Sequence, residues 1–164
     1  MLDFSNEEFY NLIKPIECHE EYQNLKNIKH HGITRYDHSY RVAYYSYIIT
    51  KTFGLDYKET TQAALLHDFF SDDVAHKNPI ARLSQHPKYA VKNAQRIINL
   101  SEKQIDIIET HMFPITFTPP KYLESWIVDI IDDIASIYER GLGLRKYCKT
   151  AAIALYTLIF MNFK

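Results

Sequence analysis

The sequence predicts an all-α protein with a single domain. Only four of its 164 residues are glycine, apolar residues recur at helical spacing over long segments, and alternating runs typical of strands are few. The length suits one domain over residues 1–164 that buries a hydrophobic core without disulfides. We expect a central core over about residues 30–140, flanked by N-terminal and C-terminal helices.

The N-terminal elements are placed by a capping pattern and two chain breakers. Ser5 and Glu8 form a capping-box pattern that predicts a first helix, which Pro15 disturbs. A short second helix is predicted over 17–28, and Gly32 then breaks the chain.

A long helix is predicted from Thr34, whose hydroxyl can cap the backbone of Asp37, to about Phe53, where Gly54 stops it. Its apolar positions at helical spacing are Val42, Tyr45, Ile49 and Phe53. The next helix is predicted over about 57–70 and contains the segment AALLHDFF.

After a polar loop at 71–85, Pro87 suits the first turn of a helix that continues to about Leu100. Ser101 and Gln104 then form the capping pattern of the next helix.

The last elements are the most apolar. A helix is predicted over 121–139, with isoleucines at helical spacing: Ile127, Ile130, Ile131, Ile134 and Ile137. The segment 150–163 is shorter than the roughly 20 residues that span a bilayer. We therefore predict that it is a buried C-terminal helix.

Ligand-type polar side chains fall on the apolar faces of five predicted helices. These side chains belong to His38, His67, His86, His111 and Asp132. A single histidine on such a face is more often a hydrogen-bonded core residue than a ligand. Five helices with the same feature would each need a separate buried partner, whereas one shared metal centre satisfies them all.

The adjacent pair His67 and Asp68 lies within an otherwise apolar run. Burying an unpaired carboxylate costs several kcal/mol, so a nearby cation is the expected compensation. Neighbours on a helix diverge by about 100°, which allows the pair to serve two metals with Asp68 between them. Imidazole and carboxylate ligands together suit zinc, iron, manganese and similar ions.

The ordered set His38, His67, Asp68 and Asp132 resembles the HD-domain superfamily of metal-dependent phosphohydrolases. The segments YDHSYRVAYYS, AALLHDFF and WIVDIIDDIAS are similar to its first, second and last motifs, and the similarity extends over roughly residues 30–140. The resemblance implies that His86 and His111 match the additional histidines of two-metal members. One metal would then take His38, His67, Asp68 and Asp132, and the other Asp68, His86 and His111.

The resemblance leaves the final carboxylate open, and the sequence departs from one branch of the family. Asp129 and Asp133 share the last helix with Asp132, so either is an alternative for the final carboxylate. The residues FFSDD that follow the doublet differ from the Gly-Lys of the branch that hydrolyses cyclic-di-GMP, and the sequence has no Gly-Tyr-Pro motif. This departure argues against that branch.

The resemblance implies a phosphohydrolase that activates water at two divalent cations, drawn from Fe, Mn, Zn, Ni, Co or Mg. The expected substrate is a nucleotide or another small phosphoester. Asp68 and Arg41 are the expected catalytic residues, and Arg35 and Lys88 are expected to bind substrate. A mixed-valent di-iron oxygenase of the same superfamily and a non-catalytic metal-binding regulatory module are the alternatives.

Composition and net charge argue against some classes of binding partner. The net charge is −1 and the pI about 6.7, so no basic field favours nucleic acid or an anionic membrane. Cys18 and Cys148 match no zinc or redox spacing, and the segment MLDFSNEEFY lacks the pattern of a signal peptide. We expect a cytoplasmic protein with reduced thiols; its oligomeric state stays open.

Overall fold

The computed structural model describes residues 6–30, 32–71 and 79–141. These residues are predominantly helical, which confirms the all-α fold class. Their helices are α1 (Glu7–Glu17), α2 (Glu20–Gln23), a 3₁₀ turn (Asn24–Asn27), α3 (Arg35–Thr52), α4 (Tyr57–Leu66), α5 (Pro79–Ala94), α6 (Glu102–Thr110) and α7 over 123–141. None of the described helices is long and apolar enough to cross a bilayer. The predicted helix at 150–163 lies outside the described residues.

A short hairpin interrupts the helices before α3. Strand β1 (Lys29–His30) pairs antiparallel with β2 (Ile33–Thr34), and this is the only sheet that the described residues form. Gly32 has a φ of +92° in the connecting turn, which glycine adopts without steric cost. The predicted chain break is therefore a hairpin turn, and it places His30 beside the first turn of α3.

Two of the predicted helix caps are confirmed. The Thr34 hydroxyl accepts a hydrogen bond of 3.1 Å from the backbone N–H of Asp37. Ser101 and Gln104 form the reciprocal capping box at the start of α6. Both signals are local in the sequence, which is why they are visible without the tertiary structure.

The first and fourth helices have different ends from those predicted. The side chain of Asn6 caps α1 by accepting from the backbone N–H of Phe9, whereas Ser5 lies outside the described residues. Helix α4 ends at Leu66 instead of continuing to about residue 70, and His67 is its C-cap. The predicted site doublet therefore lies in the turn just after the helix.

The prediction that Pro87 begins a helix is wrong. Helix α5 begins at Pro79, where a missing backbone N–H costs no helical hydrogen bond, and it ends at Ala94 rather than near Leu100. Pro87 is buried within α5, so tertiary packing outweighs its local preference for a helix start.

The inner faces of α3 and α7 are more polar than predicted. On α3, Val42 is buried as expected, but Phe53 is 73% exposed. The inward face of α3 consists of Arg35, His38, Ser39, Val42, Ala43, Ser46, Tyr47 and Thr50. On α7, Ile130, Ile134 and Ile137 are exposed, whereas Asp132 and Glu139 are buried. Buried polar side chains, and not only apolar ones, thus determine which face of each helix points inward.

Candidate metal centre

Five helices or helix ends meet at one buried point. The side chains there are His38 from α3, His67 and Asp68 from the end of α4, His86 from α5, His111 at the end of α6, and Asp132 from α7. Each of these residues is at most 8% exposed. The structure thus brings together the six residues that the sequence predicts as metal ligands.

The first group of ligand-type side chains consists of His38, His67 and Asp132. The Oδ1 atom of Asp132 lies 2.8 Å from Nε2 of His38 and 3.6 Å from Nε2 of His67. All three atoms are buried, and none has a partner with hydrogen-bond geometry among the described residues. Leaving such atoms unsatisfied is costly, and a divalent cation between them would satisfy all three.

The second group consists of Asp68, His86 and His111. The Oδ1 atom of Asp68 lies 3.2 Å from Nε2 of His86 and 3.8 Å from Nε2 of His111. The two imidazole Nε2 atoms lie 2.9 Å apart. Asp68 also belongs, with His67 and His111, to a set of ligand atoms that all lie within 4.8 Å of one another. Asp68 therefore lies within reach of both groups.

His67 and His111 are oriented by the helix ends that they terminate. Each is a C-cap residue, and its Nδ1 lies 2.7 Å from a backbone carbonyl three residues earlier, that of Ala64 or Ile108. The last carbonyls of a helix lack intrahelical partners, so they can accept from the ring Nδ1–H. This hydrogen bond places the proton on Nδ1 and leaves Nε2 available to a metal.

The charges of the first group stabilise each other in the metal-free protein. Burial alone would raise the pKa of Asp132, but His38 and His67 hold it far below its usual range. Burial alone would lower the pKa of His38, but the carboxylates of Asp132 and Glu139 raise it to about 10. The carboxylates around His38 thus favour a positive charge at this position, either on the imidazole or on a cation that replaces its proton.

The second group differs from the first in the protonation states of its side chains. Burial, together with the neighbouring His67 and His86, lowers the pKa of His111 to about 3. Burial would raise the pKa of Asp68, but His86 and His67 hold it well below its usual range. At neutral pH, therefore, His111 is neutral, as a metal ligand must be, and Asp68 is the only carboxylate of this group.

The geometry favours Asp132 over the two alternative carboxylates. Its oxygen lies within reach of two histidines, and it belongs to a potential metal-binding set with both. Asp129 is buried elsewhere on α7: burial raises its pKa to about 7, and Asp133 and Asp132 contribute. Asp133 is exposed at the edge of the site.

A cavity of about 500 Å³ opens onto the two groups, and Asp68, His86 and Asp132 are part of its lining. Its cationic lining residues are Lys29, Arg35 and Arg140, and its apolar ones are Phe70, Met112, Ile115 and Ile137. His30 also lines it. The Nη1 of Arg35 donates a 2.7 Å hydrogen bond to the carbonyl of Phe70. The predicted substrate-binding Arg35 thus lies at the cavity, beside the second group.

Two predicted residues lie elsewhere. Arg41 does not reach the cavity: its guanidinium donates to the carboxylate of Glu139, and its side chain borders other grooves. Lys88 is exposed on α5 and is not part of the cavity lining. The structure thus does not bring Arg41 or Lys88 to the cavity, because spacing from a histidine does not determine where a long side chain points.

Three charged residues beside the site are absent from the sequence-based prediction: Glu139, Lys29 and Arg140. Glu139 is buried two helical turns after Asp132, on the same side of α7, so its spacing was a usable signal. Lys29 comes from the hairpin, which no helical pattern predicts.

The fold and the site define a class of all-α proteins with a buried histidine–carboxylate centre. The family model of the HD domain matches residues 35–137, more than half of the chain, and the chain belongs to this family. HD domains are mostly metal-dependent phosphohydrolases, and the buried histidine and aspartate sets described above could hold metal ions. Comparisons with curated proteins and with solved structures gave no match.

Proposed function

We propose that this protein is a phosphohydrolase that hydrolyses a small phosphoester at a centre of two divalent cations. The observation that carries the proposal is the convergence of two ligand groups on Asp68 next to a cavity. The first group and Asp68 would hold one cation, and the second group the other. Bound there, the cations would supply a nucleophilic water at neutral pH and neutralise charge on the phosphoryl oxygens.

The donor set supports this proposal. Imidazole nitrogens with carboxylate oxygens suit Fe, Mn, Zn, Ni or Co, whereas a site for Ca²⁺ or Mg²⁺ alone would consist of oxygens. His67 and His111 are held in fixed orientations by helix carbonyls, so their Nε2 atoms need no rearrangement to bind. The protein would thus contribute a preformed, buried set of ligands.

The cavity supports a small phosphorylated substrate, including a nucleotide. Its volume of about 500 Å³ is within the usual range for small-molecule sites. The cavity lining carries positive charge that can pair with the phosphoryl group of a substrate; the residues that supply it are Lys29, Arg35 and Arg140. Phe70 and Met112 offer an apolar surface to the rest of the substrate. A cavity with cationic lining residues favours binding of a phosphoester over binding of a neutral polyol.

The experiment is a phosphoester panel under anaerobic conditions. Protein purified without chelators is analysed for metal, then assayed with aryl phosphates, nucleotides and cyclic nucleotides in the presence of Mn²⁺, Ni²⁺, Co²⁺ or Mg²⁺. We expect turnover without oxygen, and we expect the Asp68→Ala variant to be inactive. Activity that requires iron, a reductant and O₂ would instead identify an oxygenase. Bound metal with no turnover on any substrate would indicate a regulatory module.

A further inference from the structure

Glu139 is a buried carboxylate that the proposed chemistry leaves without a role. It is 1% exposed. Its Oε2 lies 2.9 Å from Nδ1 of His38, and its Oε1 accepts a hydrogen bond from the guanidinium of Arg41. An ionised carboxylate at this depth is costly without a countercharge. Arg41, whose side chain is 22% exposed, supplies that charge from the edge of the core.

The partner of His38 differs from those of the helix-end histidines. His67 and His111 donate to carbonyls that become available where a helix ends. His38 lies near the start of α3, where the carbonyls are already used by the helix and only N–H groups lack partners. Its Nδ1 therefore needs an acceptor from another element, and α7 provides the carboxylate of Glu139.

We propose that Glu139 is the positioning residue of the first metal site. It holds the ring of His38 with the proton on Nδ1 and Nε2 directed at the cation, and Arg41 keeps Glu139 in place. A carboxylate acceptor also makes the imidazole a stronger ligand than a carbonyl acceptor does. The assignment rests on the proposed metal centre, but it does not depend on the reaction catalysed there.

The experiment compares Glu139→Gln with Glu124→Gln in the full chain. Glu124 is a matched control because it is another buried acid on α7, at the opposite end of the helix from Glu139, where it pairs with Lys103. Binding of Co²⁺ alone is measured by competition with a chelator and by the visible spectrum, and the melting temperature of each metal-free protein is recorded. We expect Glu139→Gln to weaken the first Co²⁺ by about 10–100-fold, and Glu124→Gln to leave it unchanged.

Two results would overturn the assignment: Co²⁺ binding to Glu139→Gln that equals wild type, or an equal loss in Glu124→Gln. Wild-type protein that binds no Co²⁺ would overturn the metal centre as well. Glu139-dependent binding supports the assignment even where no phosphoester is hydrolysed.

A second measurement on wild-type protein covers the case in which Glu139→Gln does not fold. Nitrogen NMR of the histidine rings with Zn²⁺ bound should show His38 protonated at Nδ1 and metal-bound at Nε2. Zinc bound at Nδ1 of His38, or a His38 ring that does not respond to zinc, contradicts the assignment.

Discussion

The two ligand groups are built differently although they meet at Asp68. The first group lies between the long helices α3 and α7 and is backed by Glu139, so carboxylates contact His38 from both sides. The second group depends on a single carboxylate, and its two imidazole Nε2 atoms lie 2.9 Å apart. The first group thus has a histidine between two carboxylates, whereas the second group has two closely spaced histidines and only the carboxylate of Asp68.

This difference has a consequence for affinity. The first site would have two carboxylates, Asp132 and the shared Asp68, whereas the second would have Asp68 alone, so the first offsets the charge of a dication better. We therefore expect the first site to bind metal more tightly and the second site to empty first upon dilution or chelation. Substitutions at Asp68 and at His111 test how the two sites differ.

Removal of Asp68 should have the largest effect. In the Asp68→Ala variant both groups lose their common carboxylate, so we expect bound metal to fall to near zero and turnover to be abolished. Metal content per chain and the hydrolysis rate check this, with folding monitored by circular dichroism. A variant that keeps one full equivalent of metal would show that Asp68 does not lie between two cations.

The His111→Ala variant should lose only the second metal. The first group and Asp68 are intact in this variant, so one equivalent should remain. The rate should fall by at least the roughly 10–100-fold that is typical when a ligand's supporting partner is lost. The same metal analysis checks this result. Metal loss equal to that in Asp68→Ala would contradict the separation of the two groups.

Arg35 and Lys88 test which cations outside the two groups contact substrate. Arg35 lines the cavity and Lys88 does not. A charge-assisted hydrogen bond contributes about 1.5–3 kcal/mol, so Arg35→Gln should raise KM by roughly tenfold or more. Lys88→Gln should leave KM unchanged. Steady-state kinetics of both variants check this, and equal KM values would remove Arg35 from the substrate site.

Asp129→Asn should have the smallest effect on metal binding and turnover, and it tests whether Asp129 is one of the ligands of the first site. The carboxyl of Asp129 has a pKa of about 7 when folded, against a usual value of 3.8. Folding therefore binds a proton between these values, and wild-type stability falls as pH rises through that window. In chelator, the variant should match wild type below pH 4 and melt several degrees higher above pH 7, since each 1 kcal/mol shifts the melting temperature of a domain of this size by about 2–4 °C.

The same variant should bind metal as wild type does, because Asp132 and not Asp129 contacts the histidines. Loss of metal in Asp129→Asn would make Asp129 a ligand. A melting difference that does not change with pH would show that its carboxyl is not destabilised by burial.

Local signals explain what the sequence could predict. The Thr34 and Ser101 caps depend on residues three positions apart, and both are confirmed. Five of the six predicted ligands lie at helical spacing from apolar residues, which is the pattern that predicts them. Asp68 is predicted because it adjoins His67 within an apolar run. The family similarity added their order along the chain.

The rest depends on contacts between distant residues. Helix α7 was predicted to bury its isoleucines, but Ile134 and Ile137 are exposed because the face with Asp132 and Glu139 points inward. Arg41 was placed at the substrate because it follows His38 closely, but Glu139, far along the chain, holds its guanidinium. The start of α5 at Pro79 was missed because Pro87 carries the same local signal.

The central claim is that the six side chains hold two cations with Asp68 between them. The most direct test is a crystal structure of protein grown with Mn²⁺, with anomalous scattering used to locate the metal. We predict two anomalous peaks about 3.5–4 Å apart, one contacted by His38, His67 and Asp132, the other by His86 and His111, and Asp68 contacting both. The absence of any peak between these side chains, at full folding and with free Mn²⁺ present, would contradict the account.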